Sequence, residues 1–282
     1  MQFTKKFVTC LTAAMFMLTM LATTAFAEDW EVDFDSGVVR VVGEGVGMSK
    51  HKKNPGKYRL TASKAARMDA QAKLVEFMGV QVKTNASMTD YELNEYVVTT
   101  SAQGVVRNAK EVGSPQYFED GTCKVIMEMS LYGGKGSVAE VAYLPFKDEP
   151  KVSFMQPTDK SITSKPDVVG QKYTGLVIDC RGVGTLNPVM SPVIKNANGQ
   201  AIYGHMNLDY DKIILNGMAS YASDAYDQIA RARAGNNPLV IKAKSLTDLS
   251  ANPVVSVADA DRILAANQQD RFLDDCAVVF VR

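Results

Sequence analysis

A proline-rich stretch in the middle of the chain most constrains what this sequence can fold into. Four of the ten prolines, at positions 145, 150, 157 and 166, fall within residues 145–171. The stretch is also rich in charged residues and shows neither helical nor strand periodicity, so it is predicted to be a linker. It separates two predicted domains of similar size, residues 28–144 and residues 172–282.

The N-terminus resembles an export signal. Lys5 and Lys6 precede the apolar stretch 7–26, and an Ala-x-Ala site ends at Ala27 before two acidic residues. This order predicts a secretory signal peptide over residues 1–27. An uncleaved anchor is the alternative, because about 20 apolar residues span a bilayer. We therefore expect a protein of the bacterial periplasm or cell envelope, soluble and without a transmembrane segment once the signal is cleaved.

The net charge of the chain is not that of a general polyanion binder. The chain has 31 Lys and Arg and 31 Asp and Glu, and removing Lys5 and Lys6 leaves a net charge of about −2. A general nucleic-acid binder would be strongly basic, so no nucleic-acid partner is expected. No cofactor is expected either: Gly43-x-Gly45-x-Gly47 lacks the dinucleotide-binding spacing and predicts a bend or bulge leaving an edge strand.

Hydrophobic periodicity predicts an α+β fold made of two small domains, each a mainly antiparallel sheet with helices packed on one face. In the first half, a helix starting at Thr61 is predicted to bury Ala65, Met68, Ala72, Val75 and Met78 and to end at Gly79. The other elements predicted there are strands at 38–42, 80–84, from 105 and at 123–131, and a helix at 91–102.

The second half shows the same mixture of elements. A helical stripe is formed by Met218, Ala222, Ala225, Ile229 and Ala232. A capping box at Ser256 predicts a second helix that extends to Ala266. Strands are predicted at 175–179, 239–241 and 277–281, with a β-hairpin at 193–203.

One basic cluster stands out as a candidate contact surface. Its members are Lys50, Lys52, Lys53, Lys57 and Arg59. Such a cluster can meet anionic envelope polymers, lipid head groups or an acidic partner. A solvated loop without a partner is the alternative.

The end of the predicted strand 175–179 offers two further candidates. Asp179 and Arg181 are predicted to form a structural ion pair, with a partner site as the alternative. Cys180 and Cys276 both lie at strand ends and are a possible disulfide, because an exported chain can oxidise its thiols. The alternative is that Cys123, Cys180 and Cys276 are all small buried side chains.

Few residues suit catalysis. His51 and His205 are the only histidines, and no known nucleophile or metal motif surrounds either of them. We therefore expect a protein that is not an enzyme and has no metal site. Two alternatives remain: a periplasmic protein that binds a small ligand between its two domains, and a hydrolase of envelope polymers that uses a carboxylate pair.

An alanine-rich helix pattern followed by a Gly-Val-x-Val segment carries a family resemblance. Ala65-Ala66-x-x-Asp69-Ala70, Leu74-Val75 and Gly79-Val80-x-Val82 resemble the N-terminal domain of the flagellar ring protein FlgT, as do the later segments Gly104-Val105-Val106 and Lys124-Val125-Ile126-Met127. The related LPP-twenty-type envelope lipoproteins share the pattern, which covers residues 38–135.

The second half resembles uncharacterised domains that follow this unit in other secreted bacterial proteins. The segments that carry this likeness include Thr174–Gly182, Met190-Ser191-Pro192 and Asp259–Ile263. Together the resemblances imply a noncatalytic protein-binding or scaffold module, associated with a flagellar ring or the outer membrane. Its partner would be an envelope or flagellar basal-body protein, recruited by strand addition at an exposed sheet edge. The oligomeric state is left open.

Overall fold

The first half is built on a four-stranded antiparallel sheet, called here the first sheet. The computed structural model describes residues 30–85, 100–159 and 171–282 of the chain. The signal peptide predicted at 1–27 lies outside the described residues, as does most of the helix predicted at 91–102. The first sheet has the strand order β1-β2-β4-β3, with β1 at Trp30–Asp33, β2 at Val38–Val46, β3 at Lys110–Tyr117 and β4 at Thr122–Ser130.

A single long helix, α1 (Pro55–Asn85), packs on one face of the first sheet. Gly43 and Gly45 lie inside β2 and not at a bend, so the bend predicted from the glycine repeat is wrong. A β-carbon at Gly43 would lie 2.0 Å from the carbonyl oxygen of Ala66 in α1. The two glycines therefore let helix and sheet backbones approach closely, and the small side chains of α1 complete that contact.

Helix α1 differs from the predicted helix in its length and in its buried face. It begins six residues earlier and runs through Gly79, so the strand predicted at 80–84 is wrong. Its buried apolar residues are Ala62, Ala66, Ala70, Leu74, Phe77 and Met78. Met68, from the predicted stripe, is 70% exposed. Alanines lie on several sides of this helix, so hydrophobicity alone does not identify the face that packs. The strand predicted from residue 105 is also wrong, because residues 100–105 are helical and β3 begins at Lys110.

The second half contains a parallel sheet, which corrects the expectation of a mainly antiparallel one. Its strand order is β8-β12-β5-β9, and every neighbouring pair is parallel. The strands are β5 (Gly175–Asp179), β8 (Ser220–Ala222), β9 (Pro238–Lys242) and β12 (Val278–Val281). Both faces of β5 and β12 are buried, which explains why these strands read as continuous apolar runs.

A smaller mixed sheet completes the second half, in the order β10-β11-β6-β7. The predicted hairpin is confirmed by the antiparallel pair β6 (Ile194–Asn196) and β7 (Ala201–Tyr203). Sequence patterns did not predict β10 (Ser245–Thr247) and β11 (Asn252–Val255). Both are short, and few apolar residues mark them.

The helices of the second half are partly as expected. Ser256 Oγ accepts from the amide N–H of Asp259 at 3.0 Å and caps the helix Val257–Asp270, which confirms the predicted start. The stripe predicted over residues 218–232 is mostly wrong: β8 occupies its beginning, and only Gln228–Ala234 is helical. A further helix, Tyr210–Asn216, begins directly after Asp209. The Asp209 carboxylate caps it by accepting from the amide N–H of Asp211 at 2.9 Å. In chain order after α1 these helices are α3 (Tyr210–Asn216), α4 (Gln228–Ala234) and α5 (Val257–Asp270), preceded by α2 (Val138–Tyr143).

The two halves share one continuous cluster of buried residues. Tyr143, at the end of α2, is fully buried, and its hydroxyl donates to the carbonyl of Met190 at 3.1 Å. The start of the proline-rich stretch follows the surface of the second half. There the amide N–H of Thr158 donates to the carboxylate of Asp261 in α5 at 2.7 Å. The α+β fold class is thus confirmed, and the two-domain division remains a prediction.

No helix among residues 30–85, 100–159 and 171–282 has the length and apolarity needed to cross a bilayer.

Candidate functional site

One end of the first half brings the predicted basic residues together. β2 ends at Val46, and the amide N–H of Met48 then donates to Oγ1 of Thr61 at 3.0 Å. Asn54 Oδ1 accepts from the amide N–H of Lys57 at 3.0 Å and so caps α1. These bonds fold the loop back onto the helix N-terminus. We call residues 46–64 and 117–121 together the basic tip.

Tyr58 fixes the loop, the helix and the β3–β4 turn against one another. A β-carbon at Gly47 would lie 2.5 Å from the Tyr58 ring, and one at Gly121 would lie 2.5 Å from its hydroxyl. Beside it, the guanidinium carbon of Arg59 lies 5.3 Å from the centre of the Tyr117 ring. Cation–π contact of this kind favours a stacked guanidinium. The basic tip is therefore one surface made from three segments.

The five predicted cations of the basic tip are all exposed: Lys50, Lys52, Lys53, Lys57 and Arg59. Lys64 is a sixth exposed cation on the same helix. None of the six forms an ion pair with another residue that the structure describes. By contrast, Lys124 on the neighbouring strand pairs with Glu44 at 2.5 Å, and Arg67 pairs with Glu111 at 2.6 Å. The positive charge of the tip is thus left open to solvent.

Apolar side chains at the same end were not predicted as functional residues. They are Val46, Met48, Leu60, Tyr117 and Phe118, and each is at least 40% exposed. The signal was present in the sequence, because Phe118 directly precedes the turn Glu119-Asp120-Gly121. What was missing was the tertiary contact that places this turn beside the basic loop.

A cleft of about 680 Å³ lies between the two halves. Its apolar lining comes from both of them, and includes Trp30, Phe34, Phe77, Pro188 and Val189. Trp30 and Phe77 contact each other with ring centres 5.5 Å apart, and Phe34 meets the edge of Tyr221 at 5.3 Å. The volume is typical of a small-molecule site.

The position of this interhalf cleft follows from the parallel sheet. Arg282 comes directly after β12, and residues 187–189 lie in the loop that follows β5. The cleft therefore opens at the carboxyl ends of parallel strands, where open α/β sheets bind their ligands. Arg282 is not free there, since its guanidinium pairs with Asp35 at 2.9 Å.

Asp179 and Arg181 form the predicted ion pair at the end of β5. Arg181 donates from Nε and Nη2 to the two carboxylate oxygens of Asp179, each at 2.9 Å. It also reaches Asp224 at 3.3 Å. The Arg181 side chain holds the pKa of Asp179 below its usual range. The pair is mutually satisfied, which fits the structural role better than a partner site.

A second, charged cleft of about 380 Å³ lies where the proline-rich stretch meets the second half. Lys147 pairs with Asp211 at 3.0 Å, and Lys151 pairs with Asp274 at 2.9 Å. Burial acts to raise the pKa of Asp274, but the hydrogen bond and charge of Lys151, with hydrogen bonds from Asn267 and Arg271, outweigh it and lower the pKa. This acid is therefore held ionised, whereas a general acid would need a raised pKa. The arrangement serves as a clamp between the two segments.

The cysteines do not form the proposed disulfide. Cys123, Cys180 and Cys276 are all buried and free, so the possible Cys180–Cys276 pair is not formed and the alternative of three small buried side chains is confirmed. Burial raises the pKa of Cys180 to about 12 and also raises the pKa values of the other two thiols. Because the thiolate is the reactive form, these side chains act as small apolar groups.

The β3 edge of the first sheet is poorly suited to strand addition. β1 and β3 are the two edge strands of this sheet, and the register of β3 to β4 shifts between Val112 and Gln116. Pro115 lies within that shift and has no amide N–H to donate, and Gly113 has a φ of 74°. Bulges and prolines are devices that prevent edge pairing.

Comparison with protein-family models gives a match for the second half of the chain. Residues 175–282 match the family model for the second domain of Treponema pallidum Tp0624, a bacterial domain of unknown function. No curated protein matches the chain. The matched region begins at β5 and covers the parallel sheet, the small sheet and helices α3–α5.

Proposed function

We propose that this protein is a noncatalytic binding module of the bacterial cell envelope, and that the basic tip is its contact surface. The observation that carries the proposal is the tip itself, where unpaired cations and exposed apolar side chains share one end of the molecule. Contiguous exposed apolar groups with a polar rim mark interaction sites on soluble proteins.

Several observations support the location that this proposal assumes, the bacterial cell envelope. The N-terminal residues have the order of a secretory signal. The first half resembles the FlgT N-terminal domain and the LPP-twenty-type lipoproteins in sequence, although the Gly79-Val80-x-Val82 segment, a strand in that pattern, lies within α1 here. The match of residues 175–282 to a treponemal domain supports a bacterial origin. We therefore propose export to the envelope and association with a flagellar ring or with the outer membrane.

We propose contact through the tip in place of strand addition at the β3 edge. The bulge and Pro115 obstruct the β3 edge, whereas nothing in the described structure covers Met48 or Phe118. Aromatic and methionine side chains are enriched at the centres of protein interfaces, and lysines lie more often at their rims. A partner bound there would cover the apolar group and leave the lysines at the edge of the contact.

The experiment that tests the proposal is an affinity capture from the envelope of the native bacterium. The mature wild-type protein is compared with a Met48→Ser/Phe118→Ser variant and with a Lys242→Gln/Lys244→Gln control on the second half. Recovery of the same envelope proteins by wild type and control, with loss from the tip variant, supports the proposal. Equal recovery by all three proteins contradicts it.

The interhalf cleft favours a second candidate function, the binding of a small ligand. Its volume, its aromatic lining and its place at the carboxyl ends of the parallel strands all support such a site. Native mass spectrometry of the purified protein tests it directly. A bound small molecule that is lost from a Val189→Trp variant, in which the indole fills the cleft, supports this function. An unliganded mass for both proteins, with no ligand found by screening, speaks against it.

A further inference from the structure

We propose that the basic tip docks on an anionic phospholipid surface. This inference rests on the proposed function, because it takes the tip as the contact surface, and it adds the chemistry of what is contacted. A bilayer interface offers two things at once: phosphate charge at the surface, and an apolar layer just below the head groups. The tip presents groups complementary to both.

The charge of the tip is of one sign over a long segment. Between Glu44 and Asp69 the chain has seven Lys and Arg residues and no Asp or Glu. Arg67 alone among them pairs with a described carboxylate, that of Glu111. The other six remain exposed without a described counter-ion. Clusters of 4–8 cations of this kind are typical of proteins that bind anionic lipids.

The acidic groups of the tip are few and lie in its turn. Glu119 and Asp120 form part of the β3–β4 connection. The carboxylate of Asp120 accepts from the amide N–H of Thr122 at 2.8 Å, so it is directed toward the chain. Two carboxylates against six unpaired cations leave the surface strongly positive, although the mature protein carries a slight negative charge.

The apolar side chains of the tip favour a lipid surface over other anionic partners. Met48 is 54% exposed and Phe118 is 45% exposed, and they come from segments that Tyr58 holds together. Lys124 Nζ lies 5.8 Å from the centre of the Phe118 ring, which places charge directly beside the apolar group. A soluble polyanion would use the cations and gain nothing from Met48 and Phe118. The interfacial region of a bilayer accepts both kinds of group.

The test is co-sedimentation of the mature protein with lipid vesicles. Vesicles of phosphatidylglycerol mixed with phosphatidylcholine are compared with vesicles of phosphatidylcholine alone, at low and at physiological salt. Four proteins are used: wild type, Lys52→Gln/Lys53→Gln, Met48→Ser/Phe118→Ser, and the control Lys242→Gln/Lys244→Gln. Circular dichroism establishes that each variant is folded.

We expect the wild type and the control to bind only the phosphatidylglycerol vesicles, and more weakly at higher salt. Each cation near an anionic surface strengthens binding by about fivefold, so the lysine variant should bind about 25-fold more weakly. The Met48→Ser/Phe118→Ser variant should also bind more weakly at both salt concentrations.

Three results would overturn the proposal: no binding to phosphatidylglycerol vesicles, equal binding to neutral vesicles, or binding that the lysine variant retains in full. A fourth result would also overturn it: the lysine variant loses binding while the Met48→Ser/Phe118→Ser variant binds as the wild type does. The cations alone would then account for binding, as they would for a soluble polyanion. A failure of the lipid inference can be distinguished from a failure of the proposed function. If vesicles fail to bind while envelope capture still depends on Met48 and Phe118, the tip contacts a protein and only the lipid inference is lost.

Discussion

Gly45 lies so close to α1 that a β-carbon at this position would stand 2.2 Å from the backbone nitrogen of Ala66. Backbone atoms cannot rotate away, so a larger residue must push the helix from the sheet. We expect Gly45→Ala to lower the free energy of unfolding by about 1–3 kcal/mol, as overpacking of a tight contact does. Chemical denaturation measures the change.

A matched glycine substitution within α1 itself should change stability in the opposite direction. Gly79 is inside α1, and a β-carbon there meets nothing within 4 Å. Gly79→Ala should therefore raise the free energy of unfolding by about 0.5–1 kcal/mol. If Gly79→Ala destabilised the protein as much as Gly45→Ala, close approach would not be the cause.

Asp261 ties the proline-rich stretch to α5. Its carboxylate accepts from the amide and the hydroxyl of Thr158, at 2.7 and 2.6 Å, and from the amide of Asp159 at 3.1 Å. Asp261→Ala should remove these three hydrogen bonds between α5 and the proline-rich stretch, at a cost of about 1–3 kcal/mol. Hydrogen exchange should accelerate selectively in residues 151–159. The control Gln268→Ala removes an exposed bond to Gln156 in the same stretch and should change exchange far less.

His205 makes stability depend on pH. Its ring lies among Tyr143, Phe146 and Tyr210, with Nδ1 at 3.1 Å from the Tyr210 hydroxyl. Burial lowers the pKa of His205 below its ordinary value of 6.5. As the pH falls below 6.5, the unfolded chain binds a proton that the folded chain excludes, so stability is lost.

His205→Gln should flatten this pH dependence between about pH 7 and pH 5, measured as the denaturation midpoint at each pH. The control is His51→Gln, which changes the other histidine, at the basic tip. An unaltered slope in His205→Gln would show that other groups cause the acid sensitivity.

Three consecutive residues of the β10–β11 turn have left-handed backbone conformations. Asp248, Leu249 and Ser250 have φ values of 52°, 55° and 64°. Hydrogen bonds hold them there: Asn187 donates to the carbonyl of Leu249 at 2.6 Å, and the Asp248 carboxylate accepts from Lys195 at 2.7 Å. Leu249 is 91% exposed, so packing of its side chain does not offset the backbone strain.

Asparagine tolerates the left-handed region better than leucine does. We expect Leu249→Asn to stabilise the protein by about 0.5–1 kcal/mol. Leu249→Ala keeps the strained β-carbon and should change stability little. Equal gains from both variants would attribute the effect to the lost exposed leucine and not to the backbone.

Local signals in the sequence predicted the elements that depend on local chemistry. The cap at Ser256, the 193–203 hairpin and the short charged pair Asp179–Arg181 each involve residues close along the chain. Prediction failed where contacts between residues far apart in the sequence determine the structure. The buried face of α1 is chosen by Gly43 and Gly45 in another element, and the parallel pairing of β5 joins strands about a hundred residues apart.

The candidate surface shows the same division. Its cations form a visible cluster in the sequence, because they lie within ten residues of one another, from Lys50 to Arg59. Phe118 and Tyr117 reach that cluster only through the pairing of β3 with β4 and the packing of Tyr58. No local pattern carries that information.

The burial of Tyr143 has a consequence for how such chains are divided and recombined. Residues 175–282 match a family as a unit, yet a side chain from outside that unit occupies its interior and bonds to Met190. An excised 175–282 segment would keep its strands but lose one of the side chains that fill its hydrophobic core. Inherited sequence units and cooperative folding units therefore need not share boundaries, and any graft of this segment must carry α2 with it.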